Sequence, residues 1–244
     1  MYKENPKTKG SGIICCIPQK GTCPVKCEDC FFQSGRSFLE PLAENLPNMP
    51  SLKMTEDRVV RVNDGNDSNN CRSFVIEAVW DYRWKFYNTS IPLDLECFDA
   101  PVVLTVNPGK MTDSEAYLID PIPLNLMFVR FRTNTWNTWD MDLCDRVVEY
   151  YSARSTPVVL TFMAYFTGLI PDAHKFNYVY RKRTLNEYWA ISTEAWEKVM
   201  DRYRRNLWVY SCGKVEGISG GTACSRCGNC LREYFGTMER MGKG

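Results

Sequence analysis

The chain has 244 residues, of which 44% are hydrophobic and 24% charged, the composition of a folded globular protein with a substantial core and not of a disordered one. Thirty Lys and Arg against 29 Asp and Glu leave a formal net charge of +1, so no global field argues for a polyanionic partner. The single histidine, His174, argues against Ser-His-Asp or Cys-His catalysis and against a histidine-rich metal site.

In chain order, the polar opening MYKENPKTKGSG lacks the apolar stretch of a secretory signal, and a reducing cytoplasm is the expected compartment. Short apolar runs then alternate with helix and turn signals. Strands are expected at residues 12–17, 58–63, 85–89, 101–107, 126–132 and 156–163, with 207–210 as a candidate seventh. Helical faces fall between them. Phe38, Leu39, Leu42 and Leu46 form the first, and Phe74, Val75, Ala78, Val79 and Tyr82 the second. Thr112 with Glu115 makes a capping-box pattern before a short third helix. Trp139, Leu143, Val147 and Tyr150 mark a fourth, and Trp196, Val199, Met200 and Tyr203 a fifth. The longest uncharged run, 155–171, is broken by Pro157 and Gly168 and falls short of the roughly 20 apolar residues a membrane helix needs. The spacing is that of β/α units. It predicts an α/β fold, a partial (β/α)6 TIM-like barrel over 1–211, joined through a glycine-rich linker at 213–221 to a short cysteine-rich metal-binding extension over 212–244.

Twelve cysteines in a chain of this length read as metal ligands more readily than as a disulfide scaffold. Seven fall into two groups, while Cys15, Cys16, Cys71, Cys97 and Cys144 are scattered and are expected to be small buried hydrophobes. The first group, Cys23, Cys27 and Cys30, is a C-x3-C-x2-C loop directly after the apolar run GIICCI. A cubane offers four ligand positions, so three thiolates leave one iron open, and a site at the carboxyl end of a strand is where α/β folds place their chemistry. A zinc knuckle is the competing reading and would need a fourth ligand.

The segment GTCPVKCEDCFF resembles the signature loop of the radical S-adenosylmethionine (SAM) superfamily. The resemblance implies a [4Fe-4S] cluster on Cys23, Cys27 and Cys30 whose open iron chelates SAM. An electron from the reduced cluster then cleaves SAM to methionine and a 5′-deoxyadenosyl radical that abstracts hydrogen from substrate. It also implies a one-electron donor such as flavodoxin or ferredoxin. Asp29 departs from the family, where an aromatic residue often precedes the last cysteine; Phe31 and Phe32 follow it instead, suited to packing over the adenine. Gly65, Asn66 and Asp67 fall where the family has a segment that holds the methionine amino group, although an ordinary turn before a helix cap fits them as well. Asn107 suits the ribose hydroxyls, and Arg130, on one face with Arg132, suits the SAM carboxylate.

The second group, Cys212, Cys224, Cys227 and Cys230, supplies four thiols and resembles an auxiliary [4Fe-4S] site, with structural zinc as the alternative. Its spacing matches no substrate-defining auxiliary pattern of the family. Three substrate classes stay open: a peptide or protein, favoured by the tail; a nucleoside or nucleic acid, to which the basic stretch Arg181-Lys182-Arg183 would be suited; and a glycyl-radical enzyme to be activated. A non-catalytic zinc or iron–sulfur module is the reading from a different class. Trp136, Trp139 and Tyr165 are candidates to line a substrate pocket or to pack beneath helices.

Overall fold

The computed structural model describes residues 1–21, 23–26, 47–108, 113–133, 138–162, 164–165, 170, 172–182, 187–212 and 224–243. The first strand, β1 (Ile13–Cys16), pairs in parallel with β2 (Val59–Val62), setting Ile14 against Val60. Helix α1 (Arg72–Ala78) follows, then β3 (Lys85–Thr89), β4 (Val102–Val106) and β5 (Leu126–Thr133), each parallel to its predecessor. Helix α2 (Thr138–Ser152) leads to β6 (Val158–Phe162). An antiparallel hairpin of β7 (Tyr178–Lys182) and β8 (Glu187–Ile191) intervenes, followed by α3 (Thr193–Asp201) and the last sheet strand, β9 (Val209–Ser211). The chain closes with α4 (Cys224–Cys227) and α5 (Asn229–Arg240).

The seven parallel strands run in the order β1-β2-β3-β4-β5-β6-β9 and curl into a half-barrel. Sequential order with helical or turn crossovers is what short strands buried on both faces produce. On the outer face Ile14, Val60, Leu104, Val129 and Leu160 pack with Val75 of α1, Val147 of α2 and Val199 of α3. The inner face, offset by one residue, carries Val59, Phe86, Val103, Phe128 and Val159.

The six expected strands are present and the candidate seventh joins them, so the sheet has one strand more than the six-unit barrel predicted. The third helix is replaced by one 3-10 turn at Glu115–Tyr117, where Asp113 Oδ1 accepts from the Glu115 amide. Phe74 and Ala78 lie on the solvent side of α1, and the face toward the sheet is Val75, Val79 and Tyr82. Cys71 and Cys97 are exposed, whereas Cys15, Cys16 and Cys144 are buried as expected. The first predicted helical face, at 38–46, the linker at 213–221, Trp136 and the Trp139 side chain lie outside the described residues. No helix among the described residues is long and apolar enough to cross a membrane.

The tail is part of the barrel. Tyr234 of α5 is 1% exposed and sits on the inner face, its ring centroid 6.4 Å from that of Phe86, with Leu231 and Met238 beside it. Arg240 Nη2 donates to the Leu126 carbonyl at 3.0 Å, and Lys243 Nζ to that of Asp99 at 2.8 Å. At Gly12, φ is +72° and an added Cβ would meet Leu231 Cδ1 at 3.1 Å, so only glycine suits this approach of strand to helix. Tyr234→Ala should therefore lower unfolding free energy by about 3–5 kcal/mol, the cost of emptying an aromatic core site. Urea denaturation of the full chain checks this; a loss below about 1 kcal/mol, the range of ordinary surface substitutions and less, would mean that α5 is a dispensable appendage.

Candidate functional site

All seven strands of a parallel sheet end at one rim, and the residues just past those ends face a common mouth. Beyond β1 come Gln19, which is buried, and Cys23, which is half-buried; Cys27, Cys30 and Phe31 lie outside the described residues. Gln19 Nε2 donates to the Asp67 carbonyl at 2.8 Å, leaving its buried Oε1 without a partner among the described residues. Beyond β2, Asn63 turns the chain with φ +59°, a conformation asparagine tolerates, and its Nδ2 donates to Ser68 Oγ at 3.0 Å. Its Oδ1 is likewise buried and unpartnered. Beyond β4, Asn107 is buried, with Nδ2 unpartnered among the described residues. Buried amide atoms carry a desolvation cost unless something bonds them, and these three stand just past the strand ends.

Asp67 is engaged by the protein itself. Its Oδ1 accepts from the Asn69 amide at 2.9 Å and Thr89 Oγ1 at 2.7 Å, and its Oδ2 from the Ser90 amide at 2.6 Å and Ser90 Oγ at 2.8 Å. Four donors fill the acceptor sites of one carboxylate, so Asp67 ties the turn after β2 to the end of β3 instead of presenting a free anion. Gly65 and Asn66 ride on that turn, half-exposed, with Asn66 Oδ1 accepting from the Asp67 amide at 2.8 Å.

Deeper on the inner face lies a charged layer. Arg61 of β2 pairs with Asp64 at 2.9 Å, which raises its pKa although burial alone would lower it. Arg130 of β5 donates through Nη1 to Asn88 Oδ1 at 3.1 Å; burial first, and then the charge of Arg61, lower its pKa. Arg132, two residues on, is half-buried nearer the rim. The tail brings thiols to this layer. Cys212 follows β9, its amide donating to the Leu160 carbonyl at 2.8 Å; Asn229 Nδ2 bonds the Ser211 carbonyl at 3.3 Å and so pins the start of α5 there; and the Cys224 amide bonds the Lys7 carbonyl at 3.2 Å. Cys212 and Cys230 pack together against the inner apolar cluster.

The thiols are electrostatically unequal. Burial raises the Cys212 pKa, but the charges of Lys7, Arg130 and Arg61 outweigh it and hold the thiol below its usual range. Burial wins at Cys224, which is raised, and at Cys230, which is pushed up to about 11 despite Arg130 and Arg61. Cys212, Cys224 and Cys230 thus feel one another's charge and share one cationic surround, which suits an anionic thiolate centre. Among the described residues, however, no three His, Cys, Asp or Glu side chains gather around a common metal position, Cys227 and the rest of the tail group included.

Arg130, expected at the SAM carboxylate, is thus found facing the tail thiols and Arg61. Lys7, Gln19, Asn63, Arg61 and Asn88 were not anticipated. The signal for Arg61 was legible, since a lone cation inside the apolar run VVRV demands a buried partner. No family model matches the chain, and neither does any curated protein or solved structure.

Removing the Arg130 charge should disfavour the Cys212 thiolate. In Arg130→Gln, the pH midpoint of Cys212 alkylation by iodoacetamide, followed by peptide mass spectrometry on metal-free protein, should move upward, with a rate roughly three- to tenfold lower at pH 7.5, since one pKa unit is a factor of ten in thiolate. An unmoved midpoint would remove Arg130 from the electrostatics of this thiol.

Proposed function

We propose that the chain is a radical SAM enzyme, with Cys23, Cys27 and Cys30 holding a [4Fe-4S] cluster whose fourth iron binds SAM. The observation that carries this reading is positional: the C-x3-C-x2-C segment begins where the first strand of a parallel half-barrel ends, at the rim that also bears three buried amides with unused hydrogen-bonding atoms. Bound there, the cluster would supply the electron for reductive cleavage of SAM and SAM the group that abstracts hydrogen from substrate.

The chain's own residues bind and orient. Asn107 Nδ2 offers a donor, and Gln19 Oε1 and Asn63 Oδ1 offer acceptors, a set suited to the hydroxyl and ammonium groups of a zwitterionic nucleoside. Gly65 and Asn66 are held at the rim by the bracing of Asp67. Arg130 and Arg61 compensate negative charge at the tail thiols, and Arg130 is in addition the candidate cation for the SAM carboxylate. Cys212, Cys224, Cys227 and Cys230 would hold a second centre once drawn together by the metal, iron–sulfur on this reading, with zinc as the alternative. A flavodoxin- or ferredoxin-type donor and a cytoplasmic setting accompany the proposal.

The direct test is anaerobic reconstitution followed by dithionite and SAM. Formation of 5′-deoxyadenosine is expected, and its absence from protein carrying about four or more irons per chain would end the catalytic reading. Metal analysis should give about eight irons per chain, falling to about four in Cys23→Ala; four irons with one zinc would assign the tail to zinc. Asn107→Ala should keep its iron yet bind SAM about tenfold more weakly in equilibrium dialysis, the worth of one hydrogen bond to a buried site, whereas unaltered binding would place SAM away from β4.

A further inference from the structure

The β7–β8 hairpin forms a two-stranded sheet apart from the half-barrel. It is inserted between β6 and α3, and a small core of its own, Tyr165, Ile170, Tyr178, Ile191 and Trp196, with Phe162 at the end of β6 packed against it, fastens it beside the rim where the parallel strands end. Trp189 of β8 exchanges two backbone hydrogen bonds with Tyr165, at 2.9 and 2.6 Å, so β8 is flanked on both sides while β7 has no second strand beside it among the described residues.

What β7 offers to solvent is aromatic and basic. Phe176, just before it, is 78% exposed, Tyr180 is 41% exposed, and Val179, Arg181 and Lys182 are exposed as well. From residue 175 to 182 the sequence carries Lys175, Arg181 and Lys182 and no carboxylate, a local concentration of charge in a chain whose net charge is only +1. Arg181 has no ion-pair partner among the described residues. Lys182 reaches Glu187 at 3.7 Å, and Lys175 pairs with the exposed Asp172; such exposed pairs contribute little and give way to a stronger anion. The rings are already arrayed: Tyr180 lies 5.4 Å from Trp189, and Lys175 Nζ 5.9 Å from the same indole.

We propose that this hairpin binds single-stranded nucleic acid, with Lys175 and Lys182 on the phosphates beside Tyr180 and Phe176 as stacking platforms for bases, and with Arg181, which strand alternation turns to the other face, meeting a phosphate where the strand passes around the edge of β7. Cations beside exposed ring faces are the chemistry that single strands use, because their bases are free to stack. A duplex hides its bases, and an acidic peptide would gain nothing from the rings. The seat beside the rim deepens the preceding section by naming the substrate class as nucleic acid; that extension rests on the radical SAM reading, whereas the binding claim does not.

The test is fluorescence anisotropy of the full chain with labelled oligo(U) and oligo(dT), a matched duplex, and poly-glutamate as the acidic-peptide probe. Single strands should bind best, with log affinity falling against log salt at a slope of about −2, as expected for three neutralised phosphates. Arg181→Glu with Lys182→Glu should weaken binding at least about tenfold and flatten that slope. Tyr180→Ala should weaken it about tenfold at an unchanged slope, and Tyr180→Phe should restore it. These positions are exposed, and matching unfolding curves would confirm that the variants stay folded. Equal binding of poly-glutamate, preference for the duplex, or affinity indifferent to these substitutions would overturn the proposal. Binding that follows the prediction in protein unable to cleave SAM would leave the hairpin assignment standing and sink only the enzymatic reading.

Discussion

An open parallel curl has an apolar inner face with nothing of its own to bury it, and everything else in this molecule depends on how that face is covered. Closed barrels fill their interior with layers of strand side chains. Seven short strands do not close, and Val59, Phe86, Val103, Phe128 and Val159 would face water without α5. Tyr234 fills the space as a single large side chain, anchored by Arg240 to β5 and by Lys243 to the stretch before β4. Because α5 follows Cys224 and Cys227 directly and begins with Asn229 and Cys230, packing it on the inner face brings the tail thiols into the half-barrel.

That delivery explains the charged layer. A buried Arg130 beside a half-buried Arg61 is unfavourable in an apolar interior, and the structure answers with Asp64, Asn88 and the Cys212 thiol. The cations in turn make Cys212 the most acidic of the three coupled thiols. Arginines and cysteines are thus two halves of one electrostatic arrangement, in which the cations offset negative charge on Cys212 and Asp64 compensates Arg61.

Above this layer the rim is polar and incompletely satisfied, while the outer face is closed by helices at every point where Val75, Val147 and Val199 meet the sheet. The hairpin belongs to the rim side as well, held there by its own aromatic core. The molecule therefore divides into an inert outer shell, a structural plug and one decorated mouth, with both proposed activities at the mouth.

The strands were legible because a parallel sheet buried on both faces needs nearly continuous apolar runs, and IICC, VVLTV and VVLTF declare themselves by composition. The tight spacing of Cys23, Cys27 and Cys30 is equally local, a property of the chain before it folds. What local pattern cannot carry is the meeting of distant segments. The α5 positions Leu231, Tyr234 and Met238 are spaced for a helix, but the sequence does not say that their target is the inside of the sheet. That Arg130 feels the charges of Arg61, 69 residues earlier, and of Cys212 is likewise decided by tertiary structure and not by its own segment. Asp67 reads as a free carboxylate until Thr89 and Ser90 occupy it. Composition and periodicity determined the strands and the thiols; only folding, which fixes which charges become neighbours in a low-dielectric interior, decided what those side chains do.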